Sequence, residues 1–140
     1  MNKVNFFLLC ENFIADDKGR ISLINVFDAV NSSTKVATPS KFVIAIGMRL
    51  SKQDLQVRKI NMQASLLDPN SKTVFKGEGS GEIPEDKMGA TVVSPLDLSG
   101  KLQFKVSGKY TARLFVNNKK YAETYFNVNL NQKSESGNEE

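Results

Sequence analysis

The usual instruments of catalysis are scarce in this 140-residue chain: it has no histidine and a single cysteine, Cys10. Without histidine, neither a Ser-His-Asp triad nor a Cys-His pair can be assembled, and the commonest general base and metal ligand is gone. Ser32-Ser33-Thr34-Lys35 matches S-x-x-K. That nucleophile needs a helix start and companion motifs, neither of which is present. Asp16-Asp17, Asp68 and Asp97 could supply oxygens to calcium as in C2-type sandwiches, and Glu11 and Asp28 could join Asp16 and Asp17 at another metal. Calcium takes six to eight oxygens from clustered carboxylates. Here the aspartates stand mostly singly beside turn residues, where a carboxylate accepts backbone N–H bonds. The expectation is no catalytic residue, no metal and no cofactor.

Composition bounds the alternatives. Hydrophobic residues are 40% and charged residues 24% of the chain, a balance that suits a soluble globular domain. One cysteine excludes an intrachain disulfide. The net charge is +4, and the last ten residues, "NQKSESGNEE", hold one Lys and three Glu, leaving 18 basic against 12 acidic residues before them. Lys outnumbers Arg 15 to 4 and only Arg58-Lys59 and Lys119-Lys120 are adjacent. Base readout and phosphate forks favour Arg, whereas scattered Lys keeps sheets soluble and their edges unpaired, so the charge argues against a nucleic-acid partner. Carbohydrate stacking is disfavoured by the lack of Trp. The opening "MNKVNFFLLCEN" could be an export signal ending at Cys10, but its apolar run is short and Leu8 and Leu9 occupy the place of small residues. It reads as a first buried strand, with Cys10 an inert thiol and the protein cytoplasmic, with no membrane association.

The elements alternate with a period of two, and no helical periodicity emerges. Ile60, Met62, Ala64 and Leu66 form one face of a strand; Phe42, Ile44, Ile46, Met48 and Leu50 form one face of another. Leu102, Phe104 and Val106 read as a third, and Ala122, Phe126, Val128 and Leu130 as part of the last. Turn residues separate them: Asp17-Lys18-Gly19, Asp68-Pro69-Asn70-Ser71, Ser107-Gly108 and Asn117-Asn118. This pattern predicts an all-β, antiparallel immunoglobulin-like or C2-like β-sandwich of about seven to nine strands, one domain over 1–130 with a disordered acidic tail over 131–140. Strand order is open. A three-residue loop, Asn117 to Lys119, would set Leu114 opposite Ala122, Ala112 opposite Thr124, Tyr110 opposite Phe126, Arg113 opposite Glu123 and Phe115 opposite Tyr121. A two-residue turn would instead pair Ala112 with Glu123, on the buried face. A second three-residue loop, with Pro69 fixing φ, would set Leu66 against Val74.

"SGKYTA" has the form G-x-Y-x-A through Gly108, Tyr110 and Ala112. It resembles the tyrosine corner of immunoglobulin-like domains, with Ala112 in place of the cysteine. Tyr110 is then a core residue whose hydroxyl bonds back to the preceding corner. "LLCEN", "DDKGRISLINVFDAV", "PSKF", "LLDPN" and "SGKYTARLFVN" together resemble a bacterial domain-of-unknown-function family of small β-sandwich proteins, most specifically from Leu8 through Asp28. Members often have His-Pro where this chain has Pro39-Ser40. The resemblance implies a fold and carries no activity. Two polar stretches, 29–41 and 80–90, read as surface loops and as the place where specificity would lie. The expected function is a non-catalytic module that binds another protein through a sheet edge or these loops. The alternative is a self-associating structural subunit of a phage-derived or secretion assembly, and homo-oligomerisation is left open; a metal-dependent or C2-like calcium-binding domain ranks below both.

Overall fold

Alternating apolar residues bury one face of a strand, and two such faces must find each other to leave water. In the computed structural model, which describes residues 3–18, 20–49, 59–82 and 91–131, they do so as a two-sheet sandwich. The strands are β1 (Lys3–Ala15), β2 (Ile21–Phe27), β3 (Ala29–Asn31), β4 (Val43–Arg49), β5 (Lys59–Leu67), β6 (Thr73–Glu82), β7 (Thr91–Asp97), β8 (Gly108–Val116) and β9 (Lys119–Asn129). One sheet runs β2-β1-β4-β7 and the other β3-β9-β8-β5-β6. All neighbours are antiparallel except β3 and β9, which pair in parallel. The chain is thus an all-β sandwich, as its alternation predicts, with nine strands and no helix among the described residues, within the expected seven to nine.

Aromatic rings fill the middle. Phe42, Phe104, Tyr110 and Phe126 are all but fully buried, with centroids 5.0–5.8 Å apart, and Phe27 meets Phe42 edge-on at 5.5 Å. Such edge-to-face pairs add to the area that the rings bury. A smaller apolar cluster lies on the outer face of the first sheet: Cys10, Val43 and Ala45, with Phe6, Phe13 and Leu23 against them. It explains why β4 is buried at six consecutive positions, Val43–Met48, and why Cys10 is closed off. Burial pushes its thiol above the ordinary range. Phe6 stands directly opposite Gly47, and its ring fills the space where a Cβ on Gly47 would be.

Several expectations are corrected. Leu102 and Phe104 are buried, but they form no strand beyond one bridge from Phe104 to Ala37, and Val106 is exposed. Residues 29–31 are a strand, not loop, because the chain crosses from β2 to the other sheet at Asp28 and finds β9 there. Ser80–Glu82 belong to β6; the rest of the 80–90 stretch, like Gly19, Leu50 and nearly all of the acidic tail, lies outside the described residues. The β8–β9 register holds from Tyr110–Phe126 to Leu114–Ala122. The connection, however, is a two-residue turn, with Asn117 and Asn118 both left-handed (φ 51° and 67°). A bulge at Tyr121 absorbs the extra residue, so Phe115 faces Lys120 rather than Tyr121, and Tyr121 packs toward the core. The β5–β6 loop does span Pro69–Ser71, since Asp68 N donates to Lys72 O at 2.8 Å. A bulge at Val74 then sets Leu66 against Phe75, not Val74.

Candidate functional site

The residues singled out from sequence fall into two structural groups. At one end, Tyr110 is 1% exposed and its hydroxyl donates to Val106 O at 2.7 Å, the geometry of a tyrosine corner. Gly108 has φ 138°, and Pro69 Cγ lies 2.7 Å from where a Cβ on Gly108 would stand. Only glycine fits both conditions. On the outer face of the second sheet, Glu123 accepts from Arg113 Nε (2.8 Å), Lys120 Nζ (3.1 Å) and Tyr125 Oη (2.5 Å). These three, Tyr125 foremost, hold its carboxyl down to about 2. Lys109 Nζ sits 4.2 Å from the centre of the Tyr125 ring. Every group in this network has a partner, so it is a cross-strand clasp rather than a site waiting for a ligand.

Three of the aspartates considered as metal ligands, Asp16, Asp68 and Asp97, are occupied by backbone. Asp16 Oδ1 accepts from Lys18 N and Arg20 N, and Oδ2 from Arg20 Nε at 2.6 Å. Asp68 Oδ1 accepts from Asn70 N and Lys72 N, and Asp97 Oδ1 from Ser99 N. The amide and guanidinium of Arg20 hold the Asp16 carboxyl below its ordinary range, and Ser99 does the same for Asp97. Among the described residues no three His, Cys, Asp or Glu side chains converge. Ser32 Oγ is 2.7 Å from Thr34 Oγ1 in a loop, not at the start of a helix.

A more open hollow lies elsewhere, on the flank where β2 and β3 form the two sheet edges. It is an open groove of about 610 Å³, bounded by the end of β2, by β3 and by the segment 32–41. Asn25 turns left-handed (φ 54°) and its amide donates to Glu11 Oε1 at 2.7 Å, which aims Val26 outward. Val26 is 53% exposed, and Val36 across the groove is 40% exposed. The facing segment is pinned: Ser32 N donates to Asn129 O (2.9 Å), Thr34 Oγ1 to Val36 O (2.6 Å), and Ala37 exchanges two backbone bonds with Phe104. Gly100 N donates to Pro39 O at 2.8 Å. Lys41 and Glu11 mark the charged rim. Val26 also walls a second hollow of about 310 Å³ with Leu8, Asp28 and Tyr125. The apolar surface therefore continues beyond the groove.

None of Tyr110, Gly108, Arg113, Glu123 or Pro69 lines this groove. The stretch 29–41 does. The other part of its lining, Asn25 and Val26, was not legible, because Val26 exposed beside half-buried Phe27 looks like any alternating pair until the crossover at Asp28 is known.

A family model described as a family of unknown function, DUF6941, matches residues 5–129. No curated protein matches the chain in sequence. Among solved structures, an immunoglobulin-like protein from Pseudomonas aeruginosa aligns with a TM-score of 0.46 and 12% identity, over 91% of this chain and 96% of that one. The alkylpurine DNA glycosylase AlkC of Pseudomonas fluorescens, bound to DNA with an abasic-site analogue, aligns with a TM-score of 0.49 and 9% identity. That alignment covers 91% of this chain but only 30% of the glycosylase chain. At these scores and identities both are likenesses of strand arrangement, from which no function follows.

Proposed function

We propose that this chain, which belongs to the family of unknown function DUF6941, is a non-catalytic cytoplasmic module that holds a segment of another protein in the β2–β3 groove. One observation carries the reading. Val26 and Val36 both line the open groove and stand exposed there, where burial of apolar area would reward a partner. The walls are held by backbone bonds and by Asn25–Glu11, so little order has to be imposed on binding. The chain's lack of histidine and the backbone-bound aspartates support a binding role over a catalytic one.

Affinity co-purification from the native host, with the tag after Glu140, tests it against the double variant Val26→Asp/Val36→Asp. A stoichiometric protein held by the wild type and lost by the variant, at unchanged melting temperature, is the expected result. A partner held equally by both, or none at all, overturns the groove as the binding site.

A further inference from the structure

A sandwich has four sheet edges, and an edge left open can take another strand. Here three are blunted. β2 is interrupted by left-handed Asn25. β3 is three residues long. β7 carries Pro95, opposite Ala45 of β4, and proline brings no N–H to a ladder. The fourth, β6, is ten residues long, contains no proline and pairs only with β5 among the described residues.

Its sequence alternates in an unusual way. Opposite Ala64, Met62 and Ile60 of β5 stand Gly77, Gly79 and Gly81, so three core-facing positions of β6 hold glycine, and the fourth, Phe75, lays its ring beside Gly77. Inward charges would guard such an edge; here there are none. Nothing lies within 4 Å of where a side chain on Gly79 or Gly81 would stand. Behind Gly77 and Gly79 is a hollow of about 150 Å³ whose walls include Ile46, Met62, Leu96 and Leu114. The outward positions carry Lys76 and Glu78, both exposed.

We propose that β6 pairs antiparallel with β6 of a second copy of this chain, about a two-fold axis at Gly77, to make a continuous ten-stranded sheet. Opposed residues in an antiparallel pair share a face. This register therefore sets Lys76 against Glu78 of the second copy and Glu78 against Lys76 of the second copy. It also sets Phe75 against Gly79 of the second copy on the core side. The molecule already uses that last device: Phe6 stands opposite Gly47 and its ring takes the place of the missing side chain. Neighbouring registers match fewer charges. Centring on Lys76 or Glu78 opposes like charges, centring on Gly79 pairs Lys76 with Glu82 but leaves Glu78 against Ser80, and centring on Phe75 pairs Glu78 with Lys72 but leaves Lys76 against Val74. The two-fold closes on itself and consumes the open edge, so the product is a dimer and not a filament.

This flank lies opposite the groove, so the dimer and the partner-binding reading stand or fall separately. The test is sedimentation equilibrium of the full chain from micromolar to millimolar concentration, with a charge swap. The wild type should show a monomer–dimer equilibrium. Lys76→Glu and Glu78→Lys should each raise the dimer dissociation constant about tenfold, since each sets two like-charge pairs face to face. The double variant Lys76→Glu/Glu78→Lys should return to within about threefold of the wild type. Melting curves at dilute concentration check that every variant folds. A wild type monomeric throughout, singles that dimerise as the wild type does, or a double variant that fails to recover would each overturn the proposal.

Discussion

Tyr110 joins two functions in one side chain. Its ring lies 5.0 Å from Phe104 and 5.5 Å from Phe126, and its hydroxyl holds the Val106 carbonyl. Tyr110→Phe keeps the ring and removes the bond, leaving that carbonyl short of a donor. The expected loss is about 0.5–1.5 kcal/mol in urea unfolding, whereas a change near zero would show that the corner is not held by the hydroxyl. Glu123 offers a second check at this scale. Tyr125, Lys120 and Arg113 hold its carboxyl at about 2, below the 4.5 of an unperturbed glutamate. A depressed carboxyl adds stability above its unfolded pKa, and that stability fades as pH falls through the folded value. The wild type should therefore be more stable than Glu123→Gln at pH 7, and the difference should shrink steadily from about pH 5 toward pH 2. Because the clasp sits at the surface, the difference should be small and should shrink further in salt.

Hairpins show how far local patterns reach. Arg113 opposite Glu123 was readable because burial of Ala112 and Leu114 forbids the slipped register, and that pairing is present. The loop length was not readable, since a two-residue turn plus a bulge and a three-residue loop place the same residues opposite one another beyond Leu114. Asn117-Asn118 chose the turn by tolerating left-handed φ, and Asn117 Oδ1 also accepts from Asn61 N at 2.9 Å. Asn118→Gly should be neutral or slightly stabilising. Asn118→Val should cost roughly 1–2 kcal/mol by thermal unfolding, because a β-branched residue resists φ 67°. Equal stability of the two variants would contradict that turn. β3 escaped the sequence reading for a different reason. Ala29–Asn31 is too short to alternate, and its parallel partner β9 lies nearly a hundred residues away.

At the scale of the whole molecule, the class of fold followed from alternation and turns, while the groove did not. Its walls come from Glu11, from the end of β2 and from 29–41, and only the passage of the chain between sheets at Asp28 brings them together. The same passage governs how the protein can be made. β3 is complete by Asn31, yet its partner among the described residues, β9, is the last of the strands described. A chain emerging from the ribosome can pair β1 with β2 and then with β4 early. It must hold the β3 edge unsatisfied until Asn127, Val128 and Asn129 have been synthesised and released. Strand β9 thus acts as a latch on synthesis itself: until it arrives β3 has no ladder to join, and the sheet it would complete keeps an open edge of the kind that draws chaperones and proteases.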